Sequence, residues 1–333
     1  MEKLRIGVIG AGGIPTAHLP CLKGHDDVEL SGVMDMDANR AETFAAEHGF
    51  AFHTNNLADL WPRVDAVLVC VPTSFHCDIV VEALNNGKAV FSEKPLTRTL
   101  EQADVEKKAL DATQLPFQVG FVRRFDDEWM AFRKAVQDKK IGRPVVWHDV
   151  AFGAGPGVPW FNNDAIGGGP FLDGCIHNID FALHTFGPAK WAFCHGRTLR
   201  EGSTAIDSGT ATVRFESGDE LMLTWSWGLP NGCSGTRVFQ LAGSEGIITW
   251  PNNEEAGATE RRFVINHGDD KEKEEVSFPA SALGDGFNKQ MDEFVAVAKG
   301  EIKPCASWKE GRDALAVALA IIESARTEKV VQL

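Results

Sequence analysis

Residues 4–9, LRIGVI, form a short apolar run that leads directly into Gly10-Ala11-Gly12-Gly13-Ile14-Pro15. No other junction constrains the chain as much. An apolar run of this length closed by glycines predicts a buried strand, a tight turn and then a helix. Gly10 permits the turn, and Gly12, having no side chain, lets the backbone approach an anion. The following helix offers free N–H groups and the positive end of its dipole. Pro15 stands where a dinucleotide fingerprint has its third glycine, and proline suits the first turn of a helix. Asp35 ends the next predicted strand, 25 residues after Gly10. A carboxylate at that point accepts from a ribose 2′-hydroxyl and repels a 2′-phosphate. Strand, glycines, helix and acid in this order predict a site for NAD, in preference to NADP. Its residues are Gly10, Gly12, Gly13, Ile14, Asp35, Met36 and Arg40. Asp37 adds charge of the same sign as Asp35, and Arg40 is the local partner available to a phosphate.

The pattern continues in the same sense. Strands are predicted at 28–34, 65–71, 88–91 and 117–121, and helices at 38–48, 75–86 and 99–112. Apolar runs alternating with helices indicate βαβ units and a doubly wound parallel sheet, so residues 1–122 are expected to form a Rossmann domain. A helix at 126–138 and a strand at 144–151 follow, then a Gly/Pro-rich loop at 153–170. From 189 to 276 short segments such as ATVRF, ELMLTWSW, RVFQLAG and IITW alternate apolar and polar residues. These predict a mostly antiparallel sheet with one face covered. KEKEEV at 271–276 reads as an exposed strand or turn, and helices return at 284–299 and 308–326. Residues 123–333 thus form a second α/β domain, whose C-terminal helices could pack back on the first. A length of 333 residues suits two domains.

Composition narrows the function. Acids exceed bases 47 to 33, a formal net charge of −14, which argues against a nucleic-acid partner. The seven cysteines are odd in number and form no CxxC pair, which suits reduced thiols in the cytoplasm and argues against a metal site. There is no charged leader followed by a long apolar segment, and no apolar run approaches the roughly 18 residues of a membrane span. Tyrosine is absent, so no tyrosine serves as a catalytic acid.

Three local features carry chemistry. Glu93-Lys94-Pro95 follows the strand KAVF, which places Lys94 at the carboxyl end of a parallel strand, where open α/β sheets bind ligands. GGGPFLDGCIHNID, residues 167–180, predicts a helix starting near Pro170. Asp173 and His177 would then stand four apart on one helical face, with Asp180 a turn further. A carboxylate beside an imidazole orients it and raises its basicity, which suits proton transfer. The same spacing also describes an ordinary ion pair on a helix surface. Cys175 reads as packing, and His184 has no ligand cluster around it. The third feature is VPTSFH, residues 71–76. Val71, Pro72, Thr73 and His76 would line the nicotinamide side or cap the next helix.

Together these stretches resemble the glucose-fructose oxidoreductase/inositol dehydrogenase (Gfo/Idh/MocA) family. The matching segments are VIGAGGIPTAH, VMDMDANRA, VPTSFHCDIVVEAL, GKAVFSEKPL, VGFVRRFDDEW, GGGPFLDGCIHNID and the tail GRDALAVALAIIESARTEKVVQL, in family order. The resemblance implies a Rossmann domain followed by an α/β domain with a large, open, mostly antiparallel sheet, often the interface of a homodimer or homotetramer. It implies that Lys94, Asp173 and His177 line the substrate site, with Glu93 and Lys94 also near the cofactor. GFVRRFDDEW is similar to the inositol dehydrogenase subgroup, with Phe125 and Trp129 where aromatic residues there tend to be tyrosine. Arg124, Asn162 and Asn163 suit hydroxyl groups, and the face of Trp160 suits a sugar ring. The expected reaction is reversible oxidation of a secondary alcohol on a sugar, sugar derivative or cyclic polyol. His177 would take the hydroxyl proton, Asp173 orient it, and Lys94 polarise the oxygen or shuttle the proton itself. Two rival readings are a glycosidase with an internal NAD redox cycle and a non-catalytic dinucleotide sensor.

Overall fold

A computed structural model describes residues 3–233, 235, 237–249, 260–279 and 285–333. Trp250 and residue 284, which bounded two expected elements, lie outside the described residues. The chain forms two compact units, Met1–Phe125 with Leu283–Arg312, and Asp126–Ala282 with Asp313–Leu333. The expected boundary after residue 122 therefore moves to Phe125/Asp126, and a C-terminal segment belongs to the first unit.

The first unit opens with β1 (Leu4–Ile9), α1 (Pro15–Gly24), β2 (Val28–Met34), α2 (Ala38–His48), β3 (His53–Thr54) and α3 (Leu57–Leu60). It continues with β4 (Ala66–Val69), α4 (His76–Asn85), β5 (Ala89–Ser92), α5 (Leu100–Thr113) and β6 (Phe117–Val119). All six strands are parallel, in the order β3-β2-β1-β4-β5-β6. Every residue of β4 and β5 is buried, as helices on both faces require. The order reverses between β1 and β4, and the turns that leave these strands flank the crevice where such sheets take ligands. The short β3 escapes sequence reading because two residues carry no periodicity.

The second unit holds α6 (Asp127–Gln137), β7 (Val146–Phe152), α7 (Ile176–Phe186), β8 (Ala189–Arg197), β9 (Ser208–Phe215) and β10 (Glu220–Ser226). β11 (Val238–Gly243), β12 (Gly246–Thr249), β13 (Glu260–Asn266) and β14 (Glu274–Pro279) follow. The nine strands run β14-β13-β12-β11-β7-β10-β9-β8-β15, the last being Val331–Gln332, and all pairs are antiparallel except β7 with β10. Alternation places Ala211, Val213, Phe215, Leu221 and Leu223 on a buried face, while Thr210, Thr212, Met222 and Thr224 point to the open one. Aromatic rings from α6 and α7 cover the buried face. Trp129 meets Phe132, Trp147, Phe181 and Phe239, with ring centroids 5.1 to 6.4 Å apart. Trp129 is thus a core residue rather than a substrate contact.

α8 (Asp285–Ala298) belongs to the first unit, and α9 (Trp308–Thr327) contains the second boundary, at Arg312/Asp313. Met291, Phe294 and Val295 of α8 join the core of the parallel sheet, where Phe294 meets Phe91 edge-on at 5.5 Å. Burying one such ring contributes about 1.5–3 kcal/mol.

The same unit contains one costly group. Glu106 of α5 is 0% exposed, and neither carboxyl oxygen has a partner among the described residues. Burial alone pushes its pKa well above the ordinary range, so the folded chain keeps it protonated while the unfolded chain ionises it. A raised carboxyl pKa means that stability is complete below the unfolded value and is lost as pH rises towards the folded one. The slope between the two is about 1.4 kcal/mol per pH unit. Glu106→Leu is therefore expected to raise the melting temperature, and by more at about pH 8 than at about pH 5. Equal gains at both pH values would refute the buried acid as the cause. No helix among the described residues is long and apolar enough to cross a membrane.

Candidate active site

The glycine turn after β1 is built around one position. Gly10 has φ +97°, and a Cβ there would lie 2.4 Å from the Cys70 carbonyl oxygen, so only glycine fits. Gly12 and Gly13 are exposed, and a Cβ at either would meet nothing within 4 Å, so the outer face of the turn is open. α1 starts at Pro15 with Ile14 as its cap and no acid in its first turn, which leaves its dipole end uncompensated.

Asp35 is 8% exposed and does two things. Its Oδ2 accepts from the Ala11 N–H at 2.9 Å, and its Oδ1 from the Asp37 N–H at 3.0 Å. The acid expected to face a ribose also braces the glycine turn. Arg40 lies 3.5 Å from Asp35 and 3.8 Å from Asp37. The carboxylates thus engage the side chain that was considered for a phosphate. Asp37 caps α2 by accepting from the Asn39 and Arg40 N–H groups, and Met36 stands 79% exposed beside it. An open glycine face, an uncompensated helix start and a buried acid fit NAD, and the two acids disfavour a further phosphate.

The loops after β4 and β5 carry the second group. Val71 and Pro72 are half-buried and Thr73 is buried. His76 opens α4 at 1% exposure, but it is neither a cap nor open to a ligand. Its Nδ1 faces the Pro95 and Leu96 carbonyls at 2.8 and 3.3 Å, and its Nε2 faces the Val71 carbonyl at 2.9 Å. Glu93 is likewise occupied, with Oε1 on His18 Nε2 at 2.7 Å and Oε2 accepting from the Lys94 N–H at 3.1 Å. Both were expected among the cofactor residues; their polar atoms instead hold the protein to itself. Lys94 is half-buried and precedes a cis peptide bond to Pro95. Arg124 is also in this unit, where Nη1 donates to the Cys305 carbonyl at 2.6 Å, so part of its guanidinium is committed. The sequence signal for His18 is its place beside Leu19 and Leu22 on a buried helix face, where an imidazole demands a partner.

The second unit carries Asp173 and His177. The expected single helix is two elements. Pro170–Gly174 form a π-helical turn, and α7 begins at Ile176, so Asp173 and His177 do not share one regular helical face. Two glycines of this stretch are closely packed. Cβ atoms on Gly169 and Gly174 would sit 2.8 Å from Ala205 and 2.7 Å from Trp227. Asp173 is buried and His177 half-buried, while Cys175 and Asp180 are buried. Asn178, next to His177, donates to Asp149 Oδ2 at 2.6 Å and ties α7 to β7. Asn162 is buried, with its Oδ1 unpartnered among the described residues, while its carbonyl accepts from Thr204 and Ala205. Trp160 stacks on Phe161, centroids 3.7 Å apart, which commits one of its faces. Asn163 is half-buried. Among the described residues no three His, Cys, Asp or Glu side chains form a group able to hold a metal.

Comparison with known proteins identifies the family and the fold. Residues 4–121 match the Gfo/Idh/MocA profile described as oxidoreductase family, NAD-binding Rossmann fold. Residues 129–249 match the GFO/IDH/MocA C-terminal domain. The inositol 2-dehydrogenase of Rhizobium meliloti is 26% identical over 337 residues, 99% of each chain. The myo-inositol 2-dehydrogenase of Thermotoga maritima is 28% identical over 339 residues, 99% of this chain and 98% of its own. Among solved structures, the WlbA dehydrogenase of Bordetella pertussis, in complex with NADH and UDP-GlcNAcA, aligns at TM-score 0.83 and 21% identity over 100% of this chain and 98% of that one. Levoglucosan dehydrogenase, in complex with NADH and levoglucosan, aligns at TM-score 0.83 and 20% identity over 99% of both chains. At these identities the solved structures show the fold. This chain belongs to the Gfo/Idh/MocA family and is an NAD-binding oxidoreductase.

Proposed function

We propose that this protein is a dehydrogenase that reversibly oxidises a secondary hydroxyl of a sugar, sugar derivative or cyclic polyol. The observation that carries this reading is the end-to-end similarity to two inositol 2-dehydrogenases, each over 99% of this chain. Bound NAD supplies the hydride acceptor. The glycine turn and Asp35 hold it, and the remaining chemistry falls to side chains. Lys94 polarises the alcohol oxygen through its ammonium charge and a hydrogen bond. His177 takes the hydroxyl proton, and Asp173 orients the substrate or the imidazole. Arg124, Trp160 and Asn162 are the further substrate contacts. Asn162 supports this best, because its buried amide oxygen is an acceptor without a partner among the described residues. Where the subgroup has tyrosines, Phe125 lacks the hydroxyl and Trp129 is packed in the core, so the substrate need not be an inositol.

A screen of NAD reduction across inositols, aldoses, nucleotide sugars and glycosides tests the reading. Formation of NADH with one of these classes, and none with NADP in place of NAD, is expected. Glycoside cleavage without net NADH would replace the dehydrogenase with an internal redox cycle. NAD binding without turnover of any of them would make the protein a sensor.

A further inference from the structure

The segment Glu93-Lys94-Pro95 is held by hydrogen bonds from side chains on two different helices. His18 of α1 contacts Glu93 Oε1 at 2.7 Å, and the other carboxylate oxygen accepts the Lys94 N–H at 3.1 Å. His76 of α4 contacts the Pro95 carbonyl at 2.8 Å. Lys94 thus sits between two fixed points, one before it and one after. Both imidazoles are almost completely buried, so neither is a surface group that happens to be near.

We propose that His18 and His76 are positioning residues that fix the backbone of Lys94. The proposal rests on the reading of Lys94 as the group that acts on the substrate oxygen.

The chemistry of the partners identifies the nitrogen that matters at each site. Burial works against the Glu93 charge. The hydrogen bond and charge of His18, with the nearby Lys94, outweigh it and hold the carboxyl below its ordinary range. Glu93 is therefore a carboxylate, which only accepts, and His18 donates through Nε2. Its Nδ1 is buried without a partner among the described residues, and the ring meets Phe91 and Phe287 at steep angles, with centroids 5.1 and 5.2 Å away. Gly120 makes room for the arrangement, since a Cβ there would lie 3.0 Å from Glu93 Oε2. At His76 the main influence is burial, which lowers its pKa against the pull of the surrounding carbonyls and Glu93. Carbonyl oxygens only accept, so Nδ1 is the donor in the contact with Pro95, while Nε2 faces the further carbonyl of Val71.

This yields opposite rescue patterns. An asparagine amide nitrogen reproduces the place of Nδ1, and a glutamine amide that of Nε2. His18→Gln should keep the Glu93 bond and His18→Asn lose it. His76→Asn should keep the Pro95 bond and His76→Gln lose it.

The experiment uses the full chain and two readouts. Hydrogen exchange of the Lys94 amide needs no substrate. It should be about tenfold or more faster in His18→Asn and His76→Gln, and close to wild type in His18→Gln and His76→Asn. Turnover is then measured with whichever polyol gives the strongest NAD reduction. kcat should fall about 10-fold to 100-fold in the two disruptive variants, with KM and the NAD dissociation constant within about threefold of wild type. Exchange and kcat unchanged in the disruptive variants, or equally disturbed in all four, overturns the proposal. So does a loss confined to NAD affinity. Lys94→Ala is assayed alongside. If it turns over normally, the reading of Lys94 fails. If it is inactive but the rescue pattern is missing, only the positioning role fails.

Discussion

Lys94→Ala is expected to lower kcat by about 10²-fold or more, with NAD affinity little changed. The reasoning begins with the strand. β5 is buried along its whole length and ends at Ser92, so the next side chains emerge at the ligand edge of the sheet. The Glu93 side chain turns inward to His18, and Lys94 is the cation that follows it at the end of β5. An ammonium beside an alcohol oxygen stabilises the negative charge that grows as the proton leaves. His177→Ala should be comparably damaging, but with a different signature. A general base acts only when unprotonated, so a base at His177 gives kcat/KM an acid limb. His177→Ala should flatten that limb, and Lys94→Ala should scale the profile without moving it. If Lys94 is instead the proton carrier, the roles in the two profiles exchange. Near wild-type turnover in both variants would remove both residues from the mechanism.

The second large effect concerns cofactor choice. Asp35→Ala is expected to weaken NAD binding about 10-fold to 100-fold and to narrow the preference over NADP. On the proposed reading the carboxylate has two duties, and alanine ends both. It loses a charged acceptor for the ribose hydroxyl, and it frees the Ala11 and Asp37 N–H groups that shape the turn. Each bond to a charged group is worth about 1.5–3 kcal/mol, which sets the range. The variant also releases Arg40 from one of its two acids, 3.5 Å away, and makes it available to a 2′-phosphate. Fluorescence titration with NADH and NADPH reads both quantities. A variant that binds NADH like wild type and still rejects NADPH would show that Asp35 is not the discriminating group.

The doubly wound sheet was legible because its strands are buried on both faces and its helices carry a clear period. The positions of Gly10, Asp35 and Lys94 at strand ends could be read in the same way, from chain order alone. What could not be read depends on partners distant in sequence. His76 meets the carbonyl of Pro95 because β4 and β5 are neighbours, and no local pattern reports a carbonyl. Arg124 suits a substrate hydroxyl by its chemistry, but its bond to Cys305 joins residues 181 positions apart. The π-helical turn at Pro170–Gly174 could not be read either, because spacing arguments assume regular helices. β15 was missed for a related reason. Its two residues pair only with β8. Glu106 shows the same limit in reverse, since its helical position resembles that of any solvated acid and only packing reveals its cost.

α8 has a consequence for synthesis. A ribosome releases the residues of the parallel sheet first, yet Met291, Phe294 and Val295 complete the core beneath it. The unit begun first is therefore closed only after the chain of the nine-stranded sheet has been made, apart from its last strand. Until then the nascent Rossmann sheet exposes the apolar surface that Phe91 later gives to Phe294. Chaperone capture at this stage and low yield of fragments cut after Phe125 are both expected from that order of completion.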